Sequence, residues 1–231
     1  MKKYLPIAFF LLGIAVFSGV YFFVIKSNKT KVVEEEEDIV AEIALSQRPV
    51  TTLTPIKDGH WLKLNISGIE VKAQSLDYEL LYKTKDGSTQ GVPGTIKLDT
   101  AGANIERELL LGSESSGKFR YDEGVEEGTL TLRFRNEKGK LVGKLATDFH
   151  LQSGDKELTS VDSKFKYTLD KTPKGVFFVV MNTFGLPKEV SAVSEGPYGI
   201  FTESTGLTGI PKGEWTKVDN PNASSLGIYY R

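Results

Sequence analysis

The sequence predicts an all-β protein: an antiparallel sandwich carried behind an N-terminal transmembrane helix. Residues Tyr4 to Ile25 run for 22 positions without a charge. From Val50 onward, short alternating apolar segments recur roughly every 8–12 residues between glycine-bearing turns, the rhythm of two packed sheets. No cysteine occurs anywhere in the chain, so such a fold is held by core packing alone.

The apolar run comes first. At ~1.5 Å per residue a helix of this length spans about 33 Å, enough for a hydrocarbon layer of about 30 Å. Lys2 and Lys3 precede it, and Lys26, Lys29 and Lys31 follow. Two lysines ahead of an apolar core resemble a secretory signal, which places residues 1–3 in the cytoplasm and residue 26 onward outside. A cleaved signal peptide is the rival reading, with Val16-Phe17-Ser18 before Gly19. The length of the run favours an uncleaved anchor, because a signal core needs only about 7–15 residues. Ala15 and Gly19 have the spacing of a helix-pairing face, although small residues are common in membrane helices anyway.

Residues 26–48 read as an acidic linker around Glu34-Glu35-Glu36-Glu37-Asp38, and Ile39 to Leu45 as a short helix or stalk. Five of the 29 Lys and Arg lie in residues 1–31, which hold no acid. The remainder carries 24 basic against 30 acidic side chains, a net of −6. That balance lacks the basic footprint of a nucleic-acid binder.

Residues 49–153 are expected to form the sandwich. Val50 to Ile56 is rich in β-branched residues. Leu62, Leu64 and Ile66 share one face of the next strand, and Tyr78, Leu80 and Tyr82 one face of the third, which the Asp86-Gly87 turn closes. Gly94 to Leu98 and Ile105 to Leu111 read as strands, Gly112 to Gly117 as a loop, and Lys118 to Tyr121 as a short strand. Thr129 to Arg135 alternates without error, turns at Asn136 to Gly139, and returns from Leu141 with Leu145, Thr147, Phe149 and Leu151 on one face. Residues 154–231 read as a second small β-domain or an extension of the first. There Lys164 to Leu169 alternates, and Val176 to Met181 is a continuous apolar strand buried on both faces. Short strands follow at Tyr198 to Thr202 and Leu226 to Tyr230.

The strand rhythm over residues 49–153, with Tyr78-Glu79-Leu80-Leu81-Tyr82 as a middle strand, resembles bacterial surface domains of the immunoglobulin-like or fibronectin type III-like kind. It also resembles uncharacterised single-pass bacterial proteins. The resemblance implies an immunoglobulin-like sandwich ectodomain and an envelope location, and it implies no particular activity. The Cys…Trp…Cys signature is absent.

No catalytic, cofactor-binding or metal-binding residue is assigned. Asp58-Gly59-His60 sits in a turn, where Asp and Gly serve the backbone. Asp148 and His150 lie two apart on the outer face of a strand, with Arg133 and Arg135 within reach of Asp148 across the hairpin, and read as a surface charge cluster rather than an acid–base pair. Two histidines without an H-E-x-x-H spacing make no zinc site. Gly112 to Gly117 lacks the glycine spacing of a nucleophile elbow. Asp122 to Glu127 offers four carboxylates to calcium, which needs six to eight oxygens; a solvated loop is the plainer reading. Trp61, Trp215, Tyr198, Tyr229 and Tyr230 are the candidate ligand-contacting aromatics, with core packing as the alternative. Asn65-Ile66-Ser67 and Asn222-Ala223-Ser224 match glycosylation sequons and carry little meaning in a bacterial host.

The expected function is therefore a membrane-anchored, extracytoplasmic binding or interaction module without catalysis or cofactor. It would sit in the bilayer through Tyr4 to Ile25 and meet a protein or glycan ligand, not nucleic acid. The alternatives are an accessory subunit of a membrane or secretion complex and a cell-wall hydrolase using carboxylates.

Overall fold

A computed structural model describes residues 40, 42–56, 58–98, 104–190, 192–220 and 225–231. The predicted stub 1–3, the span Tyr4 to Ile25, the run Glu34 to Asp38 and the second sequon at Asn222 lie outside the described residues. Among those described, no helix is long and apolar enough to cross a membrane. Among the described residues the only helical turn is a 3₁₀ turn at Leu45–Gln47, and everything else regular there is antiparallel β-structure.

Alternation decides the first set of strands. β1 (Val50–Ile56), β2 (Trp61–Ser67) and β5 (Ile105–Leu110) form one three-stranded sheet in the order β1-β2-β5. β3 (Ser75–Lys83), β4 (Thr89–Lys97), β8 (Glu127–Arg135) and β9 (Leu141–Ser153) form the first half of an eight-stranded sheet. The inward residues meet in one core: Leu62, Leu64 and Ile66 from one sheet, and Leu80, Leu132 and Phe149 from the other. The turns carry glycine where the backbone needs positive φ. Gly87 (φ 83°) closes β3–β4 and Gly139 (φ 74°) closes β8–β9.

β4 is longer than the strand expected from Gly94 onward. Gly91, Pro93 and Gly94 read as breakers, yet the strand pairs with β3 from Lys83↔Thr89 to Ser75↔Lys97. It is an edge strand, so Pro93 needs no partner for its missing N–H. The Tyr78 ring lies over Gly94, at 2.2 Å from where a Cβ would stand. The other strand prolines, Pro55 in β1 and Pro211 in β14 (Gly209–Pro211), also lie on edges.

The second half of the large sheet is β12 (Phe177–Asn182), β13 (Tyr198–Phe201), β16 (Ser225–Tyr230) and β15 (Thr216–Val218), joined through β12 pairing with β9. β10 (Glu157–Thr159), β11 (Lys166–Leu169) and β14 form a second three-stranded sheet. β12 is buried on both faces, as its unbroken apolar run predicts. Val179 and Met181 point into the first core, whereas Phe178 and Val180 point into a second core with Leu158, Phe165 and Tyr167. Strand side chains alternate, so the two small sheets cover opposite faces of the large one. Val40–Arg231 form one compact unit. Ile43, in the predicted linker, is buried against Gly143 at the edge of the first core.

Candidate functional site

Where β5 ends, the chain continues as a hairpin, β6 (Gly112–Ser115) and β7 (Lys118–Tyr121), pairing only with itself. The loop expected at Gly112 to Gly117 is thus half of a ribbon. Its base is fixed by backbone bonds: Leu111 N–H donates to the His60 carbonyl (2.9 Å) and Asp122 N–H to the Leu111 carbonyl (3.0 Å). Its turn is Ser116-Gly117, both at positive φ (52° and 74°), the geometry that suits the twist of a two-residue hairpin loop. At Gly112 a Cβ would stand 2.2 Å from the Arg120 carbonyl oxygen, so only glycine lets the strands approach there.

Phe119 and Tyr121, two residues apart, share one face of β7. They are 46% and 42% exposed, two of the four large hydrophobics most exposed among the described residues. Their rings are parallel within 3°, with centroids 6.3 Å apart. The His60 ring stacks on Tyr121 at 4.3 Å and 10°. Trp61 meets Phe119 edge-on at 5.5 Å. Three parallel rings thus form a ladder along the ribbon, with an indole at its flank.

Beside the ladder lies a cleft of about 530 Å³ between the hairpin and the β3–β4 turn. Tyr121 belongs to both. The walls are mostly polar: Thr84, Asp86 and Ser88 from the turn, Gln90 from β4, and Ser113 and Arg120 from the hairpin. Internal bonds set the walls rigidly. Asp86 accepts from the Thr84 hydroxyl and the Ser88 N–H, and these bonds lower its carboxyl pKa to about 2. Tyr82 donates to Asp122 (2.9 Å); burial first, then this anionic acceptor, raises the phenol pKa. Lys85 N–H donates to the Glu123 carbonyl (2.8 Å).

The sequence candidates divide between site and scaffold. His60 and Trp61 belong to the ladder, while Asp58 and Gly59 are the β1–β2 turn residues, at φ 61° and 76°. The acidic loop is laid down by pairing: Asp122 is held by Tyr82, the Glu126 carbonyl accepts from Leu151 N–H, and Glu127 already lies in β8. No group of three or more metal-ligating side chains occurs among the described residues. Ile66 and Ser67 of the first sequon are buried in β2.

The suggested pairing of Asp148 with Arg133 or Arg135 does not form. Register sets Asp148 opposite Thr129, whose hydroxyl donates to it at 2.7 Å. The arginines turn to β3 instead: Arg133 donates twice to Glu79 (3.0 Å each) and Arg135 donates to Asp77. His150 is half-buried on the second-core side. Its Nδ1 sits 2.9 Å from the Thr159 carbonyl, and Gln152 exchanges two bonds with the Thr159 backbone, so the pair pegs β10 onto the large sheet.

Tyr198 and Tyr229 are core residues. Tyr198 donates to Asp162, and burial together with that carboxylate raises its pKa. Trp215 packs edge-on against Phe165 and Tyr198, with the Arg231 guanidinium 4.6 Å over its ring. Sequence reasoning missed Phe119 and Tyr121. The available signal was Lys118-Phe119-Arg120-Tyr121 itself: aromatics alternating with cations after a Ser-Gly turn, too short to have an inside. Comparison with protein-family models, with curated proteins and with solved structures returned no match for the chain.

Proposed function

We propose that the chain is an extracytoplasmic binding module held in the cytoplasmic membrane by Tyr4 to Ile25, with its N-terminus inside, and that the His60–Tyr121–Phe119 ladder is its contact surface. The exposed aromatic hairpin carries this reading. An isolated two-stranded ribbon is marginal by itself, and exposed rings forgo the burial that aromatic side chains ordinarily gain. Aromatic residues are enriched at recognition surfaces. The immunoglobulin-like or fibronectin type III-like reading is supported by strand order: the first, second and fifth strands share one sheet, and β4-β3-β8-β9 face them. The hairpin projects at the end of the sandwich that carries the β1–β2 and β3–β4 turns.

Absence of native cysteine makes topology directly testable. A Ser115→Cys variant places one thiol on the exposed hairpin. The expected outcome is labelling by a membrane-impermeant maleimide in intact cells, with the chain retained in the membrane fraction after alkaline extraction. Labelling only after lysis, or release by alkali, would sink the anchored, outward-facing reading.

A further inference from the structure

We infer that the ladder and its adjoining cleft bind an uncharged linear glycan, an assignment that rests on the binding-module reading. A pyranose ring has an apolar C–H face and a rim of hydroxyls. The site offers both halves of that recognition side by side. The parallel rings of Phe119 and Tyr121 supply apolar faces and edges, partly exposed, and Trp61 extends them. The cleft supplies donors and acceptors within one sugar's reach of Tyr121, and its volume falls in the range of small-ligand sites, about 300–1,000 Å³.

The cleft's charges nearly cancel, Lys85 and Arg120 against Asp86, Asp122 and Glu123, so neither sign dominates to call for an ionic ligand. The cleft's carboxylates are occupied: Asp122 by Tyr82, Asp86 by Thr84 and Ser88, and Glu123 lies 3.8 Å from Lys85 Nζ. Gln90, Ser113 and Arg120 make no side-chain bond to another described residue and remain to meet hydroxyls. In the turn segments of the cleft wall the main chain is already paired: Thr84 N–H bonds Ser88, Lys85 N–H bonds Glu123, and Asp122 N–H bonds Leu111. Recognition falls to side chains and ring faces, as a sugar requires.

The test titrates the full chain in mild detergent with cellohexaose, chitohexaose and maltohexaose by calorimetry. The variants are Phe119→Ala, Tyr121→Ala, Gln90→Ala and, as a remote control, Ile210→Ala, an exposed position on β14. The expected result is saturable binding of at least one oligosaccharide, weakened about tenfold by Phe119→Ala and unchanged by Ile210→Ala. Tyr121 also stacks on His60, so Phe119→Ala is the decisive variant if Tyr121→Ala melts early. Binding that survives both ring substitutions, or none at millimolar sugar, overturns the assignment. In the second case a photo-crosslinker at position 118 separates the two levels. A defined protein partner lost with Phe119→Ala overturns the glycan while leaving the binding module standing. No ring-dependent partner of either kind overturns both.

Discussion

Truncating Phe178 to alanine probes the strand that both cores share. Phe178 is fully buried in the second core, while its neighbours Val179 and Met181 fill the first. Removing a buried phenylalanine side chain costs about 3–5 kcal/mol, through lost transfer energy and the cavity left behind. For a folded unit of this size each kcal/mol moves the melting midpoint by about 2–4 °C, so a 4 kcal/mol loss corresponds to roughly 8–16 °C. β12 pairs with β9 on one edge and β13 on the other, so loosening one face disturbs the strand serving the other. The chain has two tryptophans, and they report separately: Trp61 at the end of the first core, Trp215 on the second. The assay is thermal unfolding followed by fluorescence in Trp61→Phe and Trp215→Phe backgrounds. Both signals should keep one common midpoint in the parent and fall together in Phe178→Ala. A lowered Trp215 transition with an unmoved Trp61 transition would refute the argument that β12 makes the cores cooperative.

Four other outcomes are expected. Gly128→Ala puts a Cβ 2.2 Å from the Leu81 carbonyl oxygen and 2.5 Å from the Phe149 ring, so the urea midpoint should drop by about 1–3 kcal/mol equivalent; an unchanged midpoint would count against this packing. Arg135→Gln strips Asp77 of its charged donor at a half-buried position and should cost about 1–2 kcal/mol in urea unfolding at neutral pH. Partial burial opposes ionisation of Asp77, but Arg135 and Thr95 outweigh it and lower its pKa. That contribution is therefore present above the unfolded carboxylate value of about 3.9 and is lost as pH falls through the lower folded value; melts of the Arg135→Gln variant should show a shallower acid limb. Burial raises the phenol pKa of Tyr82, Tyr198 and Tyr229, so their stabilisation is complete below about pH 10 and is lost on further alkalinisation, readable as falling melting midpoints beside phenolate absorbance. Phe119→Ala, at an exposed position, should shift the melting midpoint by no more than the equivalent of about 0.5 kcal/mol while weakening ligand binding about tenfold.

The alternating segments were legible because a strand with one wet face must alternate. Leu62-Leu64-Ile66, Tyr78-Leu80-Tyr82 and Leu145 to Leu151 all bury the face their spacing implies. β12 was legible from the opposite pattern, since only a strand covered on both sides is apolar at every position. β4 was not, because Gly91, Pro93 and Gly94 break a strand by local rules, and only pairing at an edge under the Tyr78 ring makes them tolerable. The same limit applies to charge. Spacing allowed Asp148 to meet Arg133, but cross-strand register is a long-range property, and it sent Arg133 to Glu79, 54 residues away in the chain.

By itself, then, the sequence determined composition-level matters: an apolar run long enough to span a bilayer, a cysteine-free acidic remainder, and β-structure with most of its inward faces. These depend on local periodicity and on transfer energies that act residue by residue. Tertiary structure alone decided that β12 pairs with β9 and threads two cores, that His150 is a peg and Tyr198 a core ring, and that His60, Trp61, Phe119 and Tyr121 converge. The site spans two segments some 60 residues apart, and nothing local to either encodes the hydrogen bond from Leu111 to His60 that brings them together.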